Sequence, residues 1–161
     1  MSSNCGSEPN PEDSLTEEAK EGALRPASMS GGCMCGAVSY KITEAPIATG
    51  LCHCDRCRPQ SGSAFSTVIF IRPSALKLEG ETAFFQDIGT SGLGVRRRYC
   101  PKCGSPLTSE MEVTPDLMFV KAGTIHENDW FTPDLEMFVV RRRAWVAPIP
   151  GVPQFEGNPP V

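Results

Sequence analysis

Seven of the eight cysteines in this 161-residue chain fall into three tight groups. Cys33-Met34-Cys35 has the pattern C-x-C. Cys52-His53-Cys54-Asp55-Arg56-Cys57 has the pattern C-x-C-x-x-C. Cys100-Pro101-Lys102-Cys103 is C-x-x-C and runs directly into Gly104. Spacings this short let neighbouring sulfurs reach one zinc ion about 2.3 Å away. The Pro-Lys-Cys-Gly run has the form of a metal knuckle, with Gly104 free to take a positive φ. Disulfides are the rival reading. Cysteines two residues apart rarely reach disulfide geometry, and an odd number cannot all pair.

The ligand count divides naturally. C-x-C and C-x-x-C together make four thiolates, a complete tetrahedral set. The remaining Cys52, Cys54 and Cys57 make a set of three, and three protein ligands with an open position are the pattern of a catalytic zinc. On this division the chain holds two zinc ions. A closed second site stays open as the alternative, with His53 or His126 as fourth ligand; His53, lying between two ligands, is expected to point away.

The elements that must position these sulfurs read as short strands. With 15 Gly and 15 Pro, the chain is punctuated too often for long helices. Val38, Tyr40 and Ile42 alternate with polar residues over 38–43, the pattern of a strand with one buried face. Further strands are expected at 65–71, 76–79, 82–86, 94–99, 107–112, 117–122 and 136–140, with one short helix near 55–61. The expected fold is mainly β, built from antiparallel sheets.

Residues 1–28 are rich in Ser, Pro and Glu and read as a disordered acidic tail, although Ser14 and Glu17 have capping-box spacing for a short helix over 14–24. Cys5 lies in this tail, apart from the others. A zinc-binding domain is expected over 29–146. Residues 147–161, with five prolines, read as an extended C-terminal segment. The formal charge of −4 comes from the first 30 residues, so the rest of the chain is balanced and no nucleic-acid partner is expected. Neither a membrane span nor a secretory signal is evident, which points to the cytoplasm and to reduced thiols.

Taken together, these motifs resemble the glutathione-dependent formaldehyde-activating enzyme family, whose domain has the Mss4-like fold. The resemblance covers residues 31–156. It rests on Gly31-Gly32-Cys33-Met34-Cys35-Gly36-Ala37-Val38, on the 52–57 cluster with Ser61-Gly62-Ser63-Ala64-Phe65, on Tyr99-Cys100-Pro101-Lys102-Cys103-Gly104-Ser105-Pro106-Leu107, and on Lys121-Ala122-Gly123-Thr124. The terminal Trp145…Pro148…Gln154-Phe155-Glu156 is similar to fungal members. One departure is His126-Glu127, where many members carry an acidic pair.

The resemblance implies a β-tent with a structural zinc on Cys33, Cys35, Cys100 and Cys103 and a catalytic zinc on Cys52, Cys54 and Cys57. It also implies a carbon–sulfur lyase acting on adducts of glutathione, or another small thiol, with formaldehyde or a larger aldehyde. Arg56, Arg58 and one member of each of the runs Arg96-Arg97-Arg98, with Arg98 the candidate, and Arg141-Arg142-Arg143 could then grip the carboxylates of glutathione, against the blander reading of solvated loop and edge-strand charge. His126 is a candidate acid or base. The competing function is a protein-binding module with structural zinc only. Exposed edge strands would permit a homodimer.

Overall fold

The computed structural model describes residues 25–159. Most of the expected tail, including Cys5 and the 14–24 segment, lies outside the described residues. Among the described residues, eleven short strands and one short helix make up the regular structure, with three brief 3-10 turns. No described helix is long and apolar enough to cross a membrane.

A small antiparallel sheet is formed by β1 (Met29–Gly32), β2 (Ser39–Ile42) and β5 (Leu76–Glu79), in the order β1-β2-β5. The larger sheet has eight strands in the order β11-β10-β3-β4-β9-β8-β7-β6. Its members are β3 (Ala48–Cys52), β4 (Ser66–Ile71), β6 (Ala83–Ile88), β7 (Gly94–Tyr99), β8 (Pro106–Met111), β9 (Met118–Lys121), β10 (Leu135–Met137) and β11 (Gln154–Phe155). All neighbours are antiparallel except at one edge, where β10 runs parallel to both β3 and β11. Helix α1 (Cys57–Ser61) is a single turn ended by Gly62 in the left-handed region, φ 64°.

The alternation in β2 places Tyr40 and Ile42 in the core, together with Val38 just before it. They pack on one face of the large sheet, against Ile69 and Ile71 of β4, Leu107 of β8 and Val120 of β9. The intervening residues of β4 and β9, Val68, Phe70 and Phe119, turn to the other face. Phe70 and Phe119 are register partners and pack edge to face, with ring centroids 4.8 Å apart. The large sheet therefore has one face under the small sheet and a second face available for a site.

Four elements depart from the sequence expectation. Strand β1 lies outside every expected strand. Strand β3 was not expected. Thr49, Gly50, Leu51 and Cys52 are all buried, so the segment has no two-residue alternation to detect. The strand expected at 136–140 stops at Met137, because Phe138 takes a left-handed backbone (φ 57°) and Val139–Arg141 forms a 3-10 turn. Within 147–159 the chain is not wholly coil: Gln154–Phe155 pairs with β10, and Pro153 accepts a bond from Glu136 N at 2.8 Å.

Candidate metal centre

The two cysteine groupings expected from ligand counting are brought together in space. Cys33, Cys35, Cys100 and Cys103 form one cluster and Cys52, Cys54 and Cys57 another, the sulfurs within each lying within 4.8 Å of one another.

In the four-thiol cluster, Cys33 and Cys35 Sγ are 3.5 Å apart and Cys35 and Cys100 Sγ 3.8 Å. A tetrahedral zinc with bonds of about 2.3 Å requires edges of about 3.8 Å, so the donor set and its spacing fit that ion. Two knuckles hold it. Val38 N–H donates to Cys33 Sγ at 3.2 Å, while Gly36, at φ 74°, closes the first turn. Gly104, also at φ 74°, closes the second by donating to Cys100 O at 2.9 Å. Ser105 joins them: its hydroxyl accepts from Met34 N–H at 3.1 Å and lies 3.2 Å from Cys103 Sγ. The hydrogen bonds from Ser105 hold the Cys103 thiol down at about 5.

The three-thiol cluster sits where β3 ends. Cys52 is the last residue of β3, Cys54 follows in the loop, and Cys57 opens α1. The turn folds back because Cys57 N–H donates to Cys54 Sγ and Arg58 N–H to Cys54 O, each at 3.2 Å. Hydrogen bonds from Cys52 and Cys54, and then the positive charges of Lys121 and Arg97, push the Cys57 thiol down to about 2. The same sulfur contacts drive Cys52 well up. The trio therefore titrates as one coupled set, with cations beside Cys57 favouring thiolate within it. Among the described residues, no His, Asp, Glu or further Cys joins this cluster as a fourth ligand.

His53 points away from the sulfurs, as its place between two ligands suggests. It is fully buried, with Nε2 3.2 Å from Glu136 Oε2. Burial lowers its pKa despite that carboxylate. Burial would raise the pKa of Glu136, but bonds from Ile149 N–H at 2.7 Å, from Arg142 and from His53 outweigh it and the net shift is downward. A charged Glu136 makes His53 Nε2 the donor. The Glu136 bonds tie the metal loop to the C-terminal segment.

The trio opens on a cavity of about 480 Å³ over the second face of the large sheet. Its walls are mostly apolar, and its charged lining residues, among those described, are Arg56, Arg97 and Lys121. Arg97 Nη1 is 4.0 Å from Cys57 Sγ. Its guanidinium is held by Asp87 (Nε to Oδ2, 2.9 Å) and by Gln60 Oε1 at 3.2 Å. Burial alone would raise the Asp87 pKa, but the bond from Arg97 leads the groups that lower it. Lys121 is only 4% exposed, and its ammonium donates to Ser66 Oγ at 3.0 Å. Burial lowers its pKa, against the pull of Cys57.

The other expected site residues are distributed differently. Arg56 reaches the cavity rim, 60% exposed and 3.7 Å from Asp87. Arg58 does not line the cavity; it is tied to Asp55 and to His53 O. Arg98 is also displaced from the expected role. Strand parity turns it with Arg96 toward Glu110, and Arg97 is the member of that run facing the sulfurs. His126 lies beside β1, with its backbone N–H on Ser30 O at 3.0 Å and Nδ1 3.5 Å from Ser30 Oγ, and does not line the cavity. The residues missed were Asp87 and Lys121, and in the Arg96-Arg97-Arg98 run the expected member was Arg98 rather than Arg97. Lys121 had a signal: it is a lone charge at the end of the otherwise apolar run Met118-Phe119-Val120.

The family model described as "Glutathione-dependent formaldehyde-activating enzyme" matches residues 28–141. A solved crystal structure of a Rhodobacter sphaeroides protein is similar, with 19% sequence identity and a TM-score of 0.50 over 78% of this chain and 99% of that one. At that identity the likeness speaks for the fold alone. No curated protein matches the chain.

Proposed function

The chain belongs to the glutathione-dependent formaldehyde-activating enzyme family, and from that premise we propose that it is a zinc-dependent carbon–sulfur lyase. It would make or break the bond between a small thiol such as glutathione and an aldehyde carbon. The observation that carries this reading is the trio Cys52, Cys54 and Cys57, three sulfurs without a fourth protein donor among the described residues, facing a cavity. Zinc bound there would supply an open fourth position for a thiol and lower its pKa.

The chain's own residues supply the rest. Three thiolates around a divalent ion leave a net charge of about −1. Arg97, clamped by Asp87 and Gln60 beside Cys57, offsets that charge, and Lys121 does so from β9. In the cleavage direction a hemithioacetal gives its hydroxyl proton to solvent water, and that oxygen's electron pair closes the C=O bond. The C–S bond breaks, and sulfur leaves with its electron pair as thiolate. Lys121 would hold the oxygen while it carries negative charge, between loss of the proton and closure of the C=O bond. Arg56 at the rim would meet a carboxylate of the thiol.

The rival reading, a binding module with structural metal only, would need the second cluster closed. The test is native mass spectrometry for metal count, with cobalt-substituted protein titrated by glutathione. Two metals, one with a spectrum altered by glutathione, are expected. One metal, or two indifferent to glutathione, would overturn the lyase reading.

A further inference from the structure

The charges in the cavity are gathered at its sulfur end. Arg97 lies against Cys57, Arg56 is held near Asp87 beside it, and Lys121 reaches Ser66, the register partner of Cys52. Much of the remaining wall is apolar, with Val68, Phe70, Leu117 and Phe119, while Thr114 and Asn158 add polar groups; no further charged side chain is among the described lining residues. A one-carbon aldehyde would occupy only the sulfur end and leave this trough without contacts. The glutathione body, with two carboxylates, finds its cation at the rim, at Arg56, and none along the trough. A second observation marks polar points in the wall: the hydroxyls of Ser109 and Thr114, both lining the cavity, are buried without a partner among the described residues. Ser109 is 6% exposed. It is the register partner of Arg97 on one side and of Phe119 on the other. A ligand oxygen would satisfy it; a hydrocarbon beyond it would meet Phe119 and Phe70.

We propose that the aldehyde half of the substrate is a bulky apolar group, an aryl or medium-chain alkyl aldehyde, lying along the Val68–Phe70–Phe119 trough with its oxygen between Lys121 and Ser109. This rests on the lyase reading for its chemistry, but the trough itself can be tested apart from turnover. The C–S bond made or broken and the proton balance are those already given; only the substituent on the aldehyde carbon is specified.

The experiment measures the affinity of the zinc-loaded full chain for S-methyl-, S-butyl-, S-hexyl- and S-benzylglutathione by calorimetry. These thioethers share one peptide body and cannot be cleaved as hemithioacetals. Each buried methylene is expected to tighten binding about fourfold, so S-hexyl should exceed S-methyl by on the order of 10²- to 10³-fold. Equal affinities within about twofold would overturn the proposal, because an occupied apolar trough must respond to chain length. In parallel, rates are compared for glutathione adducts of formaldehyde, hexanal and phenylacetaldehyde, the last two expected to be preferred. An affinity gradient without turnover of any adduct would overturn the lyase reading and leave the apolar site standing. Turnover confined to the formaldehyde adduct would overturn the substrate assignment and leave the lyase standing.

Discussion

Replacing Lys121 with Met removes one ammonium and keeps nearly the whole apolar stem. Lys121 is 4% exposed and has one hydrogen-bond partner, Ser66 Oγ at 3.0 Å. Two large effects on stability oppose each other. Burying the ion costs several kcal/mol. Attraction to a cluster of charge about −1, taken over about 5 Å with an effective dielectric constant near 20, returns about 3 kcal/mol. The stability of the zinc-loaded variant is therefore expected to stay within about 2 kcal/mol of the parent, a melting shift of at most roughly 8 °C for a domain of this size. The rate has no such compensation. An ammonium aimed at an oxygen that has shed its proton and is partly negative in the transition state, relative to the neutral hydroxyl of the free adduct, is worth about 2.7–4 kcal/mol, so kcat/KM for adduct cleavage should fall by roughly 10²–10³. The assay follows aldehyde release, with metal content measured on the same sample. A variant with two metals and a rate within about threefold of the parent would refute the assignment of Lys121 to the reacting oxygen.

The two sulfur clusters should fail differently. Cys100→Ser, at a fully buried ligand, should lose one metal and at least about 3 kcal/mol of stability, while Cys57→Ser should keep the β circular-dichroism spectrum and lose only the second metal. Native mass spectrometry of both variants checks this. Gly31→Ala should destabilise by about 1–3 kcal/mol in urea melts, because its Cβ would stand 2.3 Å from Tyr40 Oη and 2.4 Å from the Thr124 carbonyl. Glu136 titrates below the ordinary carboxylate value when folded. The stability it contributes is fully present above about pH 4.3 and is lost as pH falls through its folded value. Glu136→Gln should flatten the acid limb of a stability–pH curve measured in urea, whereas two parallel curves would count against that coupling.

The metal sites were legible because their chemistry is local. Knuckle spacing and a count of seven sulfurs are enough to divide four from three, and the glycine after Cys103 marks its own turn. Strands with one wet face, such as β2, were legible from alternation. Strand β3 was not, because both of its faces are covered and its buried glycine lies against Leu135 of a strand 85 residues later. The cavity wall was the least legible part. Arg97 and Arg98 are neighbours of identical type, and only the pairing of β7 decides which one faces the sulfurs. Asp87 and Glu136 matter through partners 10 and 83 residues away, His53 among them, and no local pattern announces a contact of that range.

The two clusters also differ in how much chain each must gather. The trio lies within six residues, 52–57, and is a local chelate available before any sheet exists. The four-thiol set joins Cys35 to Cys100 across 65 residues, and closing such a loop carries an entropic cost that grows as the logarithm of its length. If both clusters take metal, a chain emerging during synthesis would meet its first ion at the trio, and its second only when the C-x-x-C hairpin has arrived. Under scarce metal, the site able to hold an ion earliest would then be the one facing the cavity, while the four-thiol set waits for the larger loop to close.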